Sequence, residues 1–252
     1  MSPISIPGKV TLKNESVAAD PYYNNVSLLL HGDGTNGSTT IVDSSPSLKT
    51  VTAVGNAQIS TAQSKFGGAS ILFDGNGDYL TAVDDAGFRF GTSDFTVEAW
   101  VYEVARSSFL ANIVGNGFYD GSKDNGWNVD ILSTGIARFY TSGSGQTFEI
   151  VSSGTTVVPL NTWTHLAAVR NGSTLTLYLD GAAEGSISST QDENWTGANA
   201  ILKVGTVGIY QGLGLSQYSL NGYIDDLRIT KGVARYTSNF TPPTAPFPEV
   251  LG

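Results

Sequence analysis

The sequence predicts an all-β protein built as one two-sheet antiparallel sandwich, and three observations predict it. Glycine makes up 30 of 252 residues, about 12% against a usual ~7%, while charged residues are 14% against a usual ~25%. Short strands joined by many turns give that balance, because turns need positive φ, which glycine supplies without strain. Apolar and polar residues alternate with period two along much of the chain, and no useful window carries a helical 3.6-residue stripe. The apolar fraction of 40% supports a core, and a chain this long buries roughly 70–75% of its unfolded surface.

Residues 1–25 read as an extended N-terminal arm, interrupted by Pro3, Pro7 and Pro21. Strands are then predicted at Val26–His31, Ala69–Phe73, Tyr79–Val83, Phe95–Glu103, Ala111–Gly115, Trp127–Leu132, Ile136–Thr141 and Phe148–Val151. The clearest signal follows. Trp163, His165, Ala167 and Val169 face one way and Thr164, Leu166, Ala168 and Arg170 the other; Asn171-Gly172 is a type I′ hairpin signal. Leu175, Leu177 and Leu179 alternate next, and Asp180-Gly181 turns the chain again, which makes a three-strand meander. Leu202–Val207 and Tyr223–Thr230 complete the set. Residues 26–240 form one domain. Beyond it, the prolines of 241–252 predict a polyproline-like C-terminal tail.

Several functions are excluded. Without cysteine there is no disulfide, thiolate nucleophile or Cys-ligated metal. A net charge of −9 and a pI near 4.5 oppose binding to nucleic acid. No apolar run approaches the ~20 residues that span a bilayer, so no membrane insertion is expected. Met1–Pro7 has no basic stretch followed by an apolar one, so no secretion signal is expected.

Four ordered blocks resemble the laminin-G-like, or concanavalin A-like lectin/glucanase, jelly-roll family over about residues 26–240. They are Phe66–Gly75 with Gly77–Leu80, Phe95–Val101, Trp163–Arg170 leading into Leu177–Gly181, and Gly222–Ile229. The resemblance implies a jelly roll of two curved sheets with extended arms at both ends. Ile229–Thr237 followed by Asn239–Pro243 resembles the last strand and tail of such domains in bacteriophage virion proteins. That implies a non-enzymatic particle component, a head decoration or a tail or fibre protein, assembled in the bacterial cytoplasm. Its terminal arms would contact other virion proteins or further copies of itself. The alternative is an extracellular, cell-surface lectin or adhesin of a bacterium.

Glycosidases need two carboxyls about 5–9.5 Å apart. Glu98 and Glu103, five positions apart, fall on opposite faces of one strand, and the adjacent Asp225 and Asp226 also diverge. Only a pair assembled from different strands would serve, which keeps a glycan-active hydrolase as the last alternative, and no catalytic residue is assigned. His165 and His31 read as satisfied structural histidines. The resemblance implies one structural Ca²⁺, with Asp225 of the last strand as first ligand. Asp33, Asp43, Asp74 and Asp78, in acidic glycine loops, are the further candidates. For Asp74 and Asp78 a second reading stands beside it, that they only form turns. Host glycans would be held by ring stacking and amide hydrogen bonds. Trp127 with Asn125 and Asn128, Trp195, Tyr119 and Tyr210 are the candidates, with ordinary loop packing as the other reading.

Overall fold

The computed structural model of the protein describes residues 19–119, 124–142, 148–192, 194, 201–206 and 218–250, with the residues at 118–119, 124–125, 148–149 and 152 described as backbone only. Its strands, in chain order, are β1 (Val26–Leu30), β2 (Val51–Val54), β3 (Gln58–Ser60), β4 (Ser70–Asp74), β5 (Tyr79–Ala82), β6 (Phe95–Ala105), β7 (Leu110–Tyr119) and β8 (Asp124–Leu132). They continue with β9 (Ile136–Ser142), β10 (Phe148–Val157), β11 (Trp163–Asn171), β12 (Thr174–Leu179), β13 (Ala182–Ser188), β14 (Leu202–Val204) and β15 (Asn221–Lys231). Two single 3-10 turns, Tyr23–Asn25 and Ala86–Phe88, are the described helical pieces.

The strands form two antiparallel sheets. One runs β13-β12-β11-β6-β15-β4-β3, with β1 sharing the β15 edge with β4; the other runs β10-β9-β8-β7-β14-β5-β2. Alternation decides which residues fill the space between them. Phe95, Val97, Ala99 and Val101 of β6 point inward with Leu166 and Ala168 of β11 and Leu175, Leu177 and Leu179 of β12. Trp127, Val129 and Ile131 of β8 and Ala137 and Phe139 of β9 answer from the other sheet. Phe90, between β5 and β6, stacks on Phe95 at 4.2 Å and on Trp127 at 5.0 Å, so one aromatic stack bridges both sheets. Strands β2 and β3, absent from the sequence reading, are short and owe their shape to pairing with β5 and β4.

The meander forms as expected, with one shift. Asn171 pairs with Thr174, so the first hairpin turns on Gly172-Ser173 rather than on Asn171-Gly172. Only the glycine has positive φ there, +59°, which is the II′ pattern. The second turn is the predicted type I′, with φ of +44° at Asp180 and +79° at Gly181.

The polar side of the eight-stranded sheet is covered by the chain's own C-terminal segment. Tyr236 and Phe240 stack at 3.5 Å over His165 and Tyr178. Phe247 is buried against Arg228, its backbone N–H bonded to Asp226. The proline-rich stretch expected as a polyproline-like tail is, over residues 241–250, a strap without helix or strand that lies back on the domain. Cation–π contact and apolar burial hold it there.

Gly181 anchors this strap. Its carbonyl accepts from Phe240 N–H at 2.9 Å, and a Cβ at Gly181 would lie 1.9 Å from the Phe240 carbonyl oxygen. Gly181→Ala is expected to destabilise the domain by roughly 2–4 kcal/mol, through strain at positive φ plus the backbone clash. Gly77→Ala, with φ +84° and no neighbour within 4 Å, is expected to carry the strain alone. Thermal unfolding of the two variants checks this; equal shifts would mean that the strap does not press on Gly181.

Candidate functional site

The face of the seven-stranded sheet that points away from the core carries a polar row. It crosses the strands in register, from Thr81 on β5 through Lys203 on β14, Gly115 on β7, Asn128 on β8 and Tyr140 on β9 to Ile150 on β10. Sequence alternation puts it there, because Leu202, Val204, Trp127, Val129 and Phe139 take the inward positions. Gly115 is a necessity of the row: a Cβ there would meet Asn128 Oδ1 at 1.7 Å, so the amide lies across the gap a side chain would fill.

A second row lies beside it, Asn112–Asp130–Arg138. Arg138 grips Asp130 with two hydrogen bonds, 2.8 and 2.9 Å. Burial nonetheless holds the Asp130 carboxyl above its usual value, against the lowering effect of Arg138. Asn112 donates to Asn128 Oδ1 at 3.1 Å while its own Oδ1 is buried without a partner. Burial also lowers the Lys203 ammonium, whose Nζ sits 5.3 Å from the centre of the Tyr79 ring. The centre of the face is buried, whereas Lys203, Arg138 and Tyr140 are half-exposed around it. Amides, a carboxylate, an ammonium and a guanidinium placed this way suit a ligand with many hydroxyls.

Of the residues proposed for glycan contact, only Asn128 lies in this row. Trp127 is core, 1% exposed, with its indole N–H donating to the Phe88 carbonyl at 2.8 Å, so it offers no ring to a sugar. The physical reason is parity: β8 begins at Asp124, so Trp127 falls on the inward side. Tyr119 pairs with Asp124 and Asn125 with Phe118 at the ends of β7 and β8, their side chains undescribed, and Trp195 and Tyr210 fall outside the described residues. The sequence reading missed Asn112, Asp130, Arg138 and Lys203. Carrying the period-two pattern of 127–132 onto its partner strands would have found them.

The five candidate calcium ligands do not form one site. Asp43 is buried and caps its own loop, accepting from Leu29, Ser45 and Lys49 N–H groups. Asp74 and Asp78 hold their glycine turn: Asp78 accepts from Asn56 and Asp74 N–H, and Asp74 from Asn76 N–H. Asp33 and Asp225 do share a corner. Asp225 accepts from Lys65 and Phe66 N–H, and Asp33 is so close to Gly67 that a Cβ there would overlap its carboxylate. Burial pushes the Asp225 carboxyl up to about 7, despite the two N–H bonds, and neighbouring Asp226 and Asp33 add to the rise.

Beside them His31 is held between Asp226 and, at 3.0 Å, Glu249 of the strap. Burial alone would lower the imidazole, but its hydrogen bond to Asp226 and the surrounding carboxylates raise it. His31 thus holds its proton more tightly than a free imidazole does. Among the described residues no three His, Asp or Glu side chains are grouped to hold a metal ion, and a cation here would have only Asp33 and Asp225 from the expected set.

The covered face of the eight-stranded sheet is a buried ion network. Arg228 donates to Glu98 from Nε and Nη2 at 2.9 and 2.7 Å, and to Asp20 at 3.2 Å; Arg235 donates twice to Asp20. Burial alone would raise Glu98, but the Arg228 charge, with His165 and Arg235, brings it down to about 2. Tyr236 O–H donates to the other Glu98 oxygen at 2.7 Å. Glu103, on the opposite face of β6, is paired with Arg106. His165 is fully buried between Trp100 and Phe240.

Residues 74–235 match the family profile Laminin_G_3, described as the concanavalin A-like lectin/glucanases superfamily. The chain belongs to that superfamily. No curated protein matches it in sequence. Among solved structures, the binding domain of Paraclostridial Mosquitocidal Protein 1 is similar at a TM-score of 0.64 and 17% identity, over 84% of this chain and 50% of that one. The botulinum neurotoxin serotype D binding domain gives 0.61 and 15%, over 85% and 50%. A botulinum neurotoxin DC binding domain, solved in complex with rat synaptotagmin II, gives 0.59 and 14%, over 84% and 49%. The chain spans about half the length of each, and at these identities the likeness is one of fold. Lectin-like jelly-roll domains of this superfamily are generally binding modules, although the superfamily also includes glucanases. Among the described residues no helix is long and apolar enough to cross a membrane.

Proposed function

We propose that this lectin-like domain is a non-enzymatic binding module of a bacteriophage particle that holds host-surface polysaccharide on the outer face of its seven-stranded sheet. The observation that carries the binding role is the row Lys203–Gly115–Asn128–Tyr140 with the unpartnered Asn112 oxygen beside it. A buried amide oxygen without a hydrogen bond is costly, and the half-exposed Lys203, Arg138 and Tyr140 around it offer a ligand its points of contact. Affinity for one chain would be weak, and repetition on a particle would raise it by effective concentration. The particle role draws its support from the likeness of residues 229–243 to the last strand and C-terminal segment of such domains in bacteriophage virion proteins. With the C-terminal strap folded onto its own domain, attachment to other virion proteins, or to further copies, falls to the N-terminal arm.

A non-catalytic role is supported by the engagement of Glu98 and Glu103 with arginines on opposite faces. The likeness to toxin binding domains favours a second reading, a secreted or surface-bound lectin.

Binding of the purified protein to an array of bacterial surface polysaccharides tests the proposal. At least one polysaccharide is expected to bind, with a loss of tenfold or more in Lys203→Met and in Asn128→Ala. Binding that both variants retain would overturn the assignment of the face. Mass spectrometry of purified particles separates the two settings, since a free lectin would be absent from them.

A further inference from the structure

A cleft of about 550 Å³ opens at one end of the sandwich, away from the polar row. Five chain segments build it: the start of β1 (Asn25, Ser27), the turn that carries Lys49, the β5–β6 connection at Asp85 and at Ser93, and the end of β15 at Lys231. These walls are tied to one another. Asn25 Nδ2 donates to the Lys231 carbonyl at 3.1 Å, Lys49 Nζ to the Ser27 carbonyl at 2.7 Å, and Lys231 Nζ to the Ala86 carbonyl at 2.8 Å. Gly232 N–H closes the set on the Asp94 carbonyl at 2.7 Å. Such cross-ties preorganise the cleft, so a ligand need not order loops on entry.

The lining selects a ligand class. Its volume falls within the roughly 300–1,000 Å³ of small-molecule sites, and eight of its eleven lining residues carry a hydroxyl, an amide or a charge beside their apolar carbon surface. Two ammonium groups against one carboxylate make it locally positive on a chain of net charge −9. The two lysines differ. Lys49 is bonded to Ser27 and Ser47 and lies 3.6 Å from Asp85, whereas the Lys231 ammonium makes one hydrogen bond among the described residues and keeps donors for a ligand. Asp85 already caps Gly87 N–H, and its charge would repel a bare phosphate while accepting bonds from hydroxyls.

We propose that this cleft is a second carbohydrate site, specific for a carboxylated sugar. Lys231 meets the carboxylate, and Asn24, Asn25, Ser93 and Asp85 meet the hydroxyls. The proposal rests on the carbohydrate-binding reading of the domain but uses none of the residues of the polar row.

Amide chemical-shift mapping with glucuronic acid, galacturonic acid and N-acetylneuraminic acid tests it, with glucose, galactose and inorganic phosphate as controls. At least one acidic sugar is expected to shift residues 24–27, 46–49 and 231–232. Lys231→Gln is expected to weaken that binding tenfold or more with an unchanged melting temperature, and Asn24→Ala, at an exposed position, to weaken it without touching the Lys231–Ala86 bond. Equal binding of the neutral sugars, equal binding of phosphate, or acidic-sugar binding that both variants retain would overturn it. If no acidic sugar shifts the cleft while array binding still depends on Lys203 and Asn128, this proposal fails and the binding role of the sheet face stands.

Discussion

Replacing Arg228 with methionine is expected to destabilise the domain by about 3–5 kcal/mol, because it strands the buried Glu98 carboxylate and takes one of two arginines from Asp20. Glu98 is 1% exposed and Asp20 3%, and each takes hydrogen bonds from the Arg228 guanidinium. Asp20 keeps two hydrogen bonds from Arg235, whereas Glu98 keeps the Tyr236 hydroxyl, His165 at 3.4 Å and Arg235 only at 4.0 Å. For a domain of this size a kcal/mol corresponds to roughly 2–4 °C, so the melting temperature is expected to fall by about 10 °C. The same change removes the cation against which Phe247 packs at 3.7 Å, so limited proteolysis is expected to cut the strap sooner. Arg228→Met combined with Glu98→Gln is expected to cost less than Arg228→Met alone, since the stranded charge is gone. A loss below about 1 kcal/mol for the single variant would mean that the network is solvated and does not hold the strap.

The second large effect is one of pH. Stability is expected to peak near pH 5 and to fall on either side. A carboxyl with a raised folded-state value, such as Asp225 at about 7, contributes most below its ordinary value of 3.8, and that contribution is lost as pH rises through 7. His31, also raised, is fully stabilising below 6.5 and loses this as pH rises through its folded value. Both groups therefore make the domain weaker at pH 8.5 than at pH 5.5, with about 2 kcal/mol from Asp225, since roughly half of the ~4 kcal/mol of a three-unit shift is already lost between pH 3.8 and 5.5. The acid limb has the opposite origin. Glu98, lowered to about 2, and Asp20, also lowered, stabilise above their ordinary values and lose this as pH falls. Chemical denaturation at pH 3, 5.5 and 8.5 reads all three regimes, and Asp225→Asn is expected to flatten the alkaline limb. A curve rising steadily to pH 8.5 would contradict this account of the corner. The same series with calcium or chelator tests the expected ion. A calcium-dependent gain at pH 8.5 that Asp225→Asn removes would place Ca²⁺ between Asp33 and Asp225; identical curves would leave His31 as the counter-charge.

Much of the fold was legible because strand alternation and turn chemistry are local. Trp163–Leu179 could be read as a meander residue by residue, since burial on one face and Asp-Gly or Gly-Ser turns act within a few positions. β2 and β3 could not, because Thr52 and Ala53 have no strong preference until Thr81 and Leu80 pair with them. Long-range pairing also hid the site. Trp127 follows Asp124-Asn125-Gly126, which reads as a loop, yet Gly126 lies within β8 opposite Gly117, with φ +105° and the Asn116 carbonyl where its Cβ would be. The Arg228–Asp20 contact joins residues 208 positions apart, and no composition signal reports such a pair. The packing of the proline-rich tail was hidden for a related reason: prolines exclude regular structure, but they do not tell that Phe247 lies against Arg228.

The central claim is that the outer face of the seven-stranded sheet binds polysaccharide. The most direct measurement is amide chemical-shift mapping with an oligosaccharide of the best array ligand. The account expects the largest shifts at Lys203, Gly115, Asn128 and Tyr140, with side-chain amide changes at Asn112. Shifts confined to the strap-covered sheet, or array binding with no shift along that row, would contradict it.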